Sequence, residues 1–557
     1  MKQQSSGKGF AVLSTASVVC KVLAFAYLPF QTWIVGYSGN GVISKGYVVF
    51  VFLYTVTNAG LPVVISKLVS ECAAVGDHLG ERRTFRCAVL VMMALGIITA
   101  LLTFLFADWI AVNICTEPMV ARMLRVIAPT FLFTALSGSL RGYYQGRRDM
   151  RPTAVSQVVE QLLNSILTVV FVKLLFDYAM RVRPDAVLSF AAAGSALGTV
   201  IGAAGSTGFL LYMYLIKNRK QRQFEYNLQT KSGEGQSAGQ IYRRILFFAI
   251  PAVISAAAAC AIDMIDIKSC TQMLQAGGFD AAAAKELFGI YSVQYQKLFA
   301  LAAITFAAPL VTSMIPALSS SLAEGDKKYF QYKVNESYRL IFITVMPIIA
   351  GLSFLSKPIL TLIFGYNNKG SGLITIGIWI AVLSTVQIVQ SGILMSIGHP
   401  LVSPVTTLIG ISAKLICNYT LIRIPGMNIY GAIIGNALTW MIAIVLNQIY
   451  IQKSVQQKSA ILRHMIVPAA ASAVMGVVCL GIYGISIKGL GVLFRFGLAV
   501  NDISVILTVF AGAYIYFILL IRTGSVQSED IFKLPMGNRL HALLSKMPFI
   551  RGRHTHF

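Results

Sequence analysis

The sequence predicts an all-α polytopic membrane protein with about fourteen transmembrane helices, arranged as two six-helix lobes followed by two further helices. The first indication is composition: 56% of the 557 residues are apolar and only 12% are charged. Soluble domains carry about 25% charged residues, so this chain has too little polar surface to coat several of them. The second indication is a series of long apolar runs, and the third is an approximate repeat between the two halves of the chain.

The apolar runs are long enough to span a bilayer, because a helix needs about 20 residues to cross the ~30 Å hydrocarbon core. They are continuously apolar and do not alternate with a period of two, so they predict helices rather than the strands of a barrel. The predicted spans are 11–35, 46–72, 87–112, 120–144, 152–176, 187–216, 243–268, 288–318, 337–364, 372–397, 402–423, 429–451, 464–487 and 500–521.

The charges of the chain are unbalanced, with 46 Lys and Arg against 21 Asp and Glu and a formal net charge of +25. When the N-terminus is placed in the cytoplasm, most basic residues fall in cytoplasmic segments such as 82–86, 147–151 and 327–333. The positive-inside rule therefore predicts that both termini are cytoplasmic and that much of the excess orients the helices. Nucleic acid is not an expected partner, because the charges lie in short loops without a recognised binding motif.

The longest polar stretch, 217–242, divides the chain. It is rich in Ser, Gly, Gln and charge and has no apolar periodicity, so we predict a cytoplasmic linker. It would separate an N-terminal lobe, 1–216, from a C-terminal lobe, 243–452. Residues 453–521 contain the last two helices, and residues 522–557 form a basic cytoplasmic tail.

Two groups of landmarks recur about 250 residues apart and suggest that the six-helix halves are duplicated, as in many transporters. An alternative is that Gly, Pro and charge recur in any short cytoplasmic loop. The matching landmarks are Gly76-Asp77 with Gly325-Asp326, and Gly146 and Pro152 with Gly398 and Pro404.

Among the lysines within the predicted spans, three are candidate ligand residues, because a charge costs at least ~2.5–3.5 kcal/mol at the bilayer centre. Lys21 lies about ten residues into the first span and is too deep to reach the interface fully. Lys67 lies near the cytoplasmic end of the second span, from which it could also snorkel to the interface. Lys297 lies in the eighth span. Because lysine is a common phosphate partner, a cavity lined by these cations would suit an anionic ligand.

Polar and acidic residues form two further groups. Gln157, Glu160, Gln161 and Asn164 form a polar stripe on the fifth span, where Glu160 either couples transport to an ion or neutralises a neighbouring cation. Asp263 and Asp266 share one face of the seventh span, because residues three apart are neighbours on a helix. Asp263 could instead form a structural ion pair with Lys297, and Asp266 could be surface-exposed near the outer end. Arg141 is expected to be an interfacial anchor.

Other chemical signatures are not evident in the sequence. The histidines lie in or near loops without helical pairing, and the eight cysteines are scattered without a C-x-x-C motif, so we expect no metal or redox site. There is no P-loop and no nucleophile elbow, so we expect neither a built-in ATPase nor a hydrolase. The chain is expected to need no cofactor, although the membrane potential, H⁺ or Na⁺ could drive it.

Four segments carry a resemblance to a known family. They are LRGYYQGRRDMRPTAVSQVVEQLLN (140–164), CKVLAFAYLPF (20–30), LPVVISKLVSE (61–71) and YQKLFALAAITFAAPLVTSMIPALSSSLAEGD (295–326). These segments resemble the polysaccharide biosynthesis/export family of the MOP flippase superfamily. Within it they are most similar to the stage V sporulation protein B group and to the Gram-positive MurJ-like lipid II flippases.

The resemblance implies a MATE/MurJ-like fold, in which two six-helix lobes enclose a V-shaped cavity that opens to each side of the membrane in turn. In the lipid II flippases, cations of helices one, two and eight line that cavity, and the last two helices form a groove for a lipid tail. By motif, these cations correspond here to Lys21, to Lys67 after Ser66, and to Lys297. The chain departs from the Gram-negative type, which carries an Arg-acid pair where this chain has Tyr27-Leu28.

The resemblance also implies a function, namely a non-enzymatic flippase in the bacterial cytoplasmic membrane. It would move an undecaprenyl-pyrophosphate-linked saccharide, with the peptidoglycan precursor lipid II as the expected substrate. Its expected partners are this lipid-linked anionic saccharide, membrane lipids and cell-wall synthases. The alternatives are a flippase for another lipid-linked polysaccharide, a MATE-like multidrug/cation antiporter that uses Asp263 or Glu160, and a non-transporting scaffold for wall or spore-coat assembly.

Overall fold

The computed structural model of the chain describes residues 6–58, 61–74, 77–147, 149–217, 237–323, 325–455, 461–493 and 497–524. In these ranges the chain is helical apart from turns, and each predicted span lies largely in helix. The α-helices are α1 (Ser6–Ala26), α2 (Leu28–Asn58), α3 (Leu61–Ala74), α4 (His78–Leu105), α5 (Ala107–Trp109), α6 (Val120–Ile127), α7 (Thr130–Gly146), α8 (Arg151–Val182), α9 (Val187–Tyr212), α10 (Ala238–Ala276), α11 (Ala281–Ile290), α12 (Lys297–Ala323), α13 (Lys327–Phe354), α14 (Ser356–Phe364), α15 (Ser371–Gly377), α16 (Ala381–Ser396), α17 (Val402–Leu421), α18 (Tyr430–Val455), α19 (Ile461–Leu493) and α20 (Gly497–Arg522).

The all-α membrane fold predicted from the sequence is confirmed. Within the described ranges, nine helices are long and apolar enough to cross a membrane. A tenth span is present there if α6 and α7, which meet at a 40° bend, are counted together. The chain is therefore a multi-pass membrane protein, and the predicted total of about fourteen helices is consistent with this arrangement.

The chain forms two compact units. The first is Met1–Val293 with Pro404–Thr439, and the second is Gln294–Ser403 with Trp440–Phe557. In the first unit, one apolar core surrounds α2 and α6 and another surrounds α3, α4 and α7. In the second unit, α13, α19 and α20 share a core, and the Tyr516 hydroxyl donates to the Ile343 carbonyl at 2.9 Å.

The connection between the first two predicted spans differs from expectation. Residues 36–45 were predicted to lie outside the membrane spans, but the chain turns at Gly36 alone and is helical on both sides of it. Gly36 has φ 69° and ψ −178°, a conformation that is essentially restricted to glycine. The buried Asn40 side chain bridges the turn, because it accepts from Gln31 Nε2 at 2.7 Å and donates to Thr32 Oγ1 at 2.8 Å.

The predicted linker 217–242 ends earlier than the sequence suggested. Residues 218–236 lie outside the described residues, and α10 already begins at Ala238. Ser237 and Gln240 form a reciprocal capping box, in which each side chain accepts from the backbone N–H of the other, and this cap fixes the start of the helix. Of the predicted basic tail, residues 525–557 also lie outside the described residues.

The landmarks of the predicted repeat occupy matching positions in the structure. Asp77 caps α4 and Asp326 caps α13, and the two residues have nearly the same backbone angles, φ −80° with ψ 79° or 82°. Each aspartate accepts a hydrogen bond from the backbone N–H three residues later, as an N-cap does. Pro152 and Pro404 both lie in the first turn of the helix that follows the second landmark.

Two stripes of glycine allow pairs of helices to approach closely, which the sequence analysis did not anticipate. On α9, an added Cβ at Gly194 would lie 2.5 Å from the Phe171 carbonyl of α8, and one at Gly202 would lie 2.8 Å from the Glu160 carbonyl. On α7, an added Cβ at Gly146 would lie 2.8 Å from the Ser66 carbonyl of α3. Glycines four residues apart are a common device for helix contact in membranes.

We expect Gly198→Ala, in the middle of the α9 stripe, to destabilise the protein by ~1–3 kcal/mol, because the new methyl would overlap Thr168 and force α8 and α9 apart. The control is Gly208→Ala on the same helix, where an added Cβ meets nothing within 4 Å. That change should be neutral or stabilising by up to ~1 kcal/mol. Unfolding in mixed detergent micelles measures both values, and equal effects would contradict close packing at Gly198.

Candidate functional site

The three predicted substrate lysines lie on helices of both units. Lys21 is in α1 and is half-buried, whereas Lys67 in α3 and Lys297 at the start of α12 are exposed. Lys21 and Lys67 belong to the first unit, and Lys297 belongs to the second. All three residues are therefore at least partly exposed on apolar helices.

Packing against neighbouring helices fixes the helices that carry Lys21 and Lys67. Beside Lys21, the Leu23 carbonyl of α1 accepts a hydrogen bond from Ser165 of α8 at 3.1 Å. Next to Lys67, the Ser66 carbonyl lies against Gly146 of α7. The motif LRGYYQG thus has a structural role, since Gly142 and Gly146 bring α3 into backbone contact with α7.

The predicted polar stripe on α8 is present, and its members Gln157, Glu160, Gln161 and Asn164 are half-buried. The stripe is held by hydrogen bonds to nearby hydroxyls. Asn164 Oδ1 accepts from Thr168 at 3.0 Å and from Thr199 of α9 at 3.3 Å. These hydrogen bonds orient the Asn164 side chain and satisfy part of its hydrogen-bonding capacity.

Glu160 forms an ion pair with Arg141, at 2.6 Å between Arg141 Nη2 and Glu160 Oε2. Arg141 is only 11% exposed and also donates to Ser156 at 3.0 Å and to Ser206 at 2.9 Å. It is therefore not the interfacial anchor that the sequence suggested. The alternative interpretation of Glu160 applies, since the carboxylate neutralises a neighbouring cation. The partner could not be identified from sequence, because it lies on another helix.

The two aspartates of α10 differ in environment although they share one face of the helix. Asp263 is exposed, whereas Asp266 is buried and pairs with Lys414 of α17 at 2.8 Å. The exposed fractions of the two paired side chains are 1% for Asp266 and 0% for Lys414. Asp266 is therefore not surface-exposed near the outer end.

Hydrogen bonds complete the environment of the Asp266–Lys414 pair. Asp266 accepts from the Tyr291 hydroxyl at 2.9 Å and from Asn418 Nδ2 at 2.9 Å. Lys414 donates to Asn436 Oδ1 at 2.5 Å. The sequence analysis did not select Lys414, although the polar residues Lys414 and Asn418 lie one turn apart in an otherwise apolar span. That spacing is the signal that could have revealed a buried polar face.

Metal ligation is not indicated in the part of the chain that the structure describes, where no three His, Cys, Asp or Glu side chains are grouped to hold an ion. The polar groups of the candidate site are ammonium groups, paired carboxylates and hydroxyls. Such groups can bind an anion by charge-assisted hydrogen bonds.

The model of a family described as "Polysaccharide biosynthesis protein" matches residues 6–322, which is more than half of the chain. The chain belongs to this family. A related model with the same description matches residues 281–371. The family predicted from the sequence motifs is thus confirmed.

Two curated proteins of Bacillus subtilis (strain 168) are similar to the chain over nearly its whole length. The lipid II flippase MurJ is 26% identical, and the match covers 98% of this chain and 99% of the relative. Stage V sporulation protein B is 24% identical, with coverage of 97% and 99%.

Solved structures of the MOP superfamily and of a lipid II flippase share the fold. An inward-facing multidrug resistance MATE family transporter of the MOP superfamily matches with a TM-score of 0.62 at 14% identity, covering 78% of this chain and 96% of that one. The lipid II flippase MurJ in an inward closed conformation matches with a TM-score of 0.57 at 15% identity, covering 91% and 99%. These relatives are flippases and transporters, and the chain is classed with them as a non-enzymatic membrane protein.

The buried pair allows a test of stability. We expect Asp266→Asn and Lys414→Met each to destabilise the protein by ~3–5 kcal/mol, because each leaves one uncompensated charge in the interior. The double variant should recover much of this loss. The matched control is Lys173→Met, whose pair with Asp177 at 2.8 Å is about half exposed, and the expected cost there is below ~1 kcal/mol. Unfolding in detergent gives all four values, and additive losses in the double variant would contradict the pairing.

Proposed function

We propose that the protein is a flippase that moves an undecaprenyl-pyrophosphate-linked saccharide from the cytoplasmic to the outer leaflet by alternating access. Lipid II is the substrate that we favour. Membership of the polysaccharide biosynthesis protein family and the similarity to MurJ and stage V sporulation protein B over nearly the whole chain support this proposal. The MATE transporters share the fold at 14% identity and therefore leave the substrate open.

The distribution of accessible and paired charges is the observation on which the proposal depends. Lys21, Lys67 and Lys297 are at least partly accessible, whereas the carboxylates of Glu160 and Asp266 are engaged by Arg141 and Lys414. Accessible cations suit a pyrophosphate carrier, whereas the exposed Asp263 is the acid that a cation antiporter would use. We assign the pyrophosphate to the three lysines, since ammonium groups bind phosphate oxygens strongly where water is scarce.

The remaining parts of the proposal concern the lipid and the membrane. The polyprenyl tail stays in the bilayer or lies along α19 and α20, which expose large apolar side chains such as Ile485 and Phe510. We also propose that both termini are cytoplasmic in a bacterial cell, which the distribution of basic residues supports. Cell-wall synthases are the proposed partners that consume the product. The membrane potential, H⁺ or Na⁺ is the proposed driving force, and Asp263 is the accessible acid for ion coupling.

The proposal is tested by Lys21→Ala, Lys297→Ala and the double variant in proteoliposomes with lipid II. Each single change should slow translocation about tenfold and the two together about 100-fold, because each removes one charge-assisted contact. Lys173→Ala on α8 is the control for loss of an exposed positive charge and should leave the rate unchanged. The variants are then scored for complementation of a strain depleted of its lipid II flippase. Unchanged translocation by the double variant would exclude this assignment.

A second test separates the flippase from a cation antiporter that uses Glu160. Glu160→Gln and Arg141→Gln should each destabilise the protein by about 2 kcal/mol, since each breaks a charge-assisted hydrogen bond. The double variant Arg141→Gln/Glu160→Gln should translocate lipid II within about twofold of wild type, because no unpaired charge remains. If the double variant is folded but loses lipid II translocation, the carboxylate has a role in coupling. Drug efflux by wild-type vesicles that depends on H⁺ or Na⁺ would favour the antiporter directly.

A further inference from the structure

Lys45 of α2 is a buried cation that the proposed mechanism has not used. Its side chain is 2% exposed, and its ammonium donates to the Cys115 carbonyl at 2.8 Å, to Thr116 Oγ1 at 3.2 Å and to Thr271 Oγ1 at 2.9 Å. The Phe288 ring lies 5.7 Å from the same ammonium. These partners are all neutral, while the carboxylate of Glu117, two residues from Cys115, pairs with Lys285 at 2.8 Å. A buried ammonium without a directly bound carboxylate is costly, and it calls for an explanation.

The three hydrogen-bond partners of Lys45 come from two separate segments, 115–116 and α10. Cys115 follows the π-helical turn Ile110–Ile114, and carbonyl groups at the end of a helix carry partial negative charge. Thr116 has a φ of 53°, a left-handed conformation that is uncommon for a residue other than glycine and that the hydrogen bonds help to maintain. Thr271 lies on α10, so the ammonium joins α2 to the helix that follows the predicted linker 217–242.

The contact of α2 with α10 and α11 is a close seam of small residues and neutral hydrogen bonds. An added Cβ at Gly41 would lie 2.7 Å from the Lys285 carbonyl, and one at Gly289 would overlap the Tyr37 carbonyl. Ser292 donates to Ser44 at 3.0 Å. In the predicted orientation this seam lies toward the outer face, since Lys45 is nine residues after the turn at Gly36, or ~13 Å along the helix.

We propose that Lys45 binds phosphate in the outward-open state. In the closed state its ammonium is buried in the seam, where it donates to neutral oxygens, until the seam separates. This inference rests on the proposed function, in which the lobes 1–216 and 243–452 move apart on the outer side. Lys45 and Thr271 belong to different predicted lobes, although both lie in the first compact unit of the closed structure. Separation of the lobes would remove one of the three acceptors and admit water to the ammonium. A phosphate or pyrophosphate group then replaces the neutral oxygen of Thr271 with an anionic one, which an ammonium binds more strongly.

The closed seam thus makes phosphate binding at Lys45 conditional on opening. While the Lys45 ammonium donates to Thr271, an anion must compete with a hydrogen bond that is already formed. The apparent affinity for phosphate is therefore reduced in proportion to the fraction of protein in the open state. Lys45 would bind the substrate headgroup on the outer side of the membrane, after Lys21, Lys67 and Lys297 have bound it on the cytoplasmic side.

The test measures binding of inorganic pyrophosphate to the purified full-length protein in detergent at low salt. Thr271→Val keeps the charge of Lys45 and removes only the acceptor across the seam. It should tighten pyrophosphate binding about fivefold relative to wild type, the factor that corresponds to loss of one hydrogen bond from the closed state. Adding Lys45→Gln, which retains a donor for the Cys115 carbonyl but removes the charge, should abolish the gain.

The control is Thr271→Val combined with Lys173→Gln, which removes an exposed positive charge and should keep the gain. Thermal unfolding of each variant shows whether it is folded. If Lys45→Gln is unfolded, Lys45→Arg replaces it. Because Lys45→Arg retains the charge, Thr271→Val should still tighten pyrophosphate binding in that background. Equal pyrophosphate affinity with and without Lys45→Gln, or no gain with Thr271→Val, would overturn the inference. Failure of the proposed function is recognised separately, by unchanged lipid II translocation in Lys21→Ala/Lys297→Ala.

Discussion

The energetic cost of charge within a bilayer is the constraint on which the rest of this structure depends. Each ionisable group at membrane depth costs several kcal/mol unless a partner or water compensates it. The fold meets this cost by pairing charges between helices, as in Arg141–Glu160 and Lys414–Asp266. These two acids are engaged by cations of the chain, whereas the proposed pyrophosphate ligands Lys21, Lys67 and Lys297 are at least partly exposed. The constraint that limits stability thus also bears on the charge of the proposed ligand.

Small residues determine where those charges lie. The glycine stripe of α9 brings α8, with Glu160 and Asn164, into backbone contact, and the stripe of α7 does the same for α3, with Lys67. Association of helices within lipid depends on close packing rather than on the hydrophobic effect, so a methyl group at these contacts would displace the polar residues as well as the helices. Packing and the candidate site are thus linked through the same surfaces.

Much of the fold could be predicted from the sequence, because long apolar runs identify spans without knowledge of their neighbours. The matched caps at Asp77 and Asp326 were also accessible as a local signal. The one-residue turn at Gly36 was missed because Asn40 completes it with side-chain hydrogen bonds that composition does not show. Lys45 was missed as a consequence, because the sequence predicts residues 36–45 to lie outside the membrane spans.

Long-range pairing was the part of the site that sequence reasoning could not supply. Lys414 lies 148 positions from Asp266 in the chain, and no local pattern connects them. Glu160 illustrates the same limit, since its partner is on a different helix and was assigned to the interface. A residue's own sequence context predicts its depth in the membrane, but only the packing of helices determines which opposite charge it meets.

The positions of the ion pairs bear on how the protein could move. Among the described residues, Lys414–Asp266 and Arg147–Glu81 are the most buried ion pairs, and each lies within one predicted lobe, 243–452 or 1–216. Two described pairs join residues of different predicted lobes: Lys285, 26% exposed, pairs with Glu117, and Arg244, 37% exposed, pairs with Glu71. Glu117 is only 4% exposed, so the first of these pairs is partly buried, whereas the exposed Arg244–Glu71 pair is worth ~0–1 kcal/mol. Breaking a buried pair costs ~3–5 kcal/mol. Under the proposed mechanism, the exposed pair and the neutral contact of Lys45 with Thr271 separate when the predicted lobes move apart, while the most buried pairs stay within one lobe each.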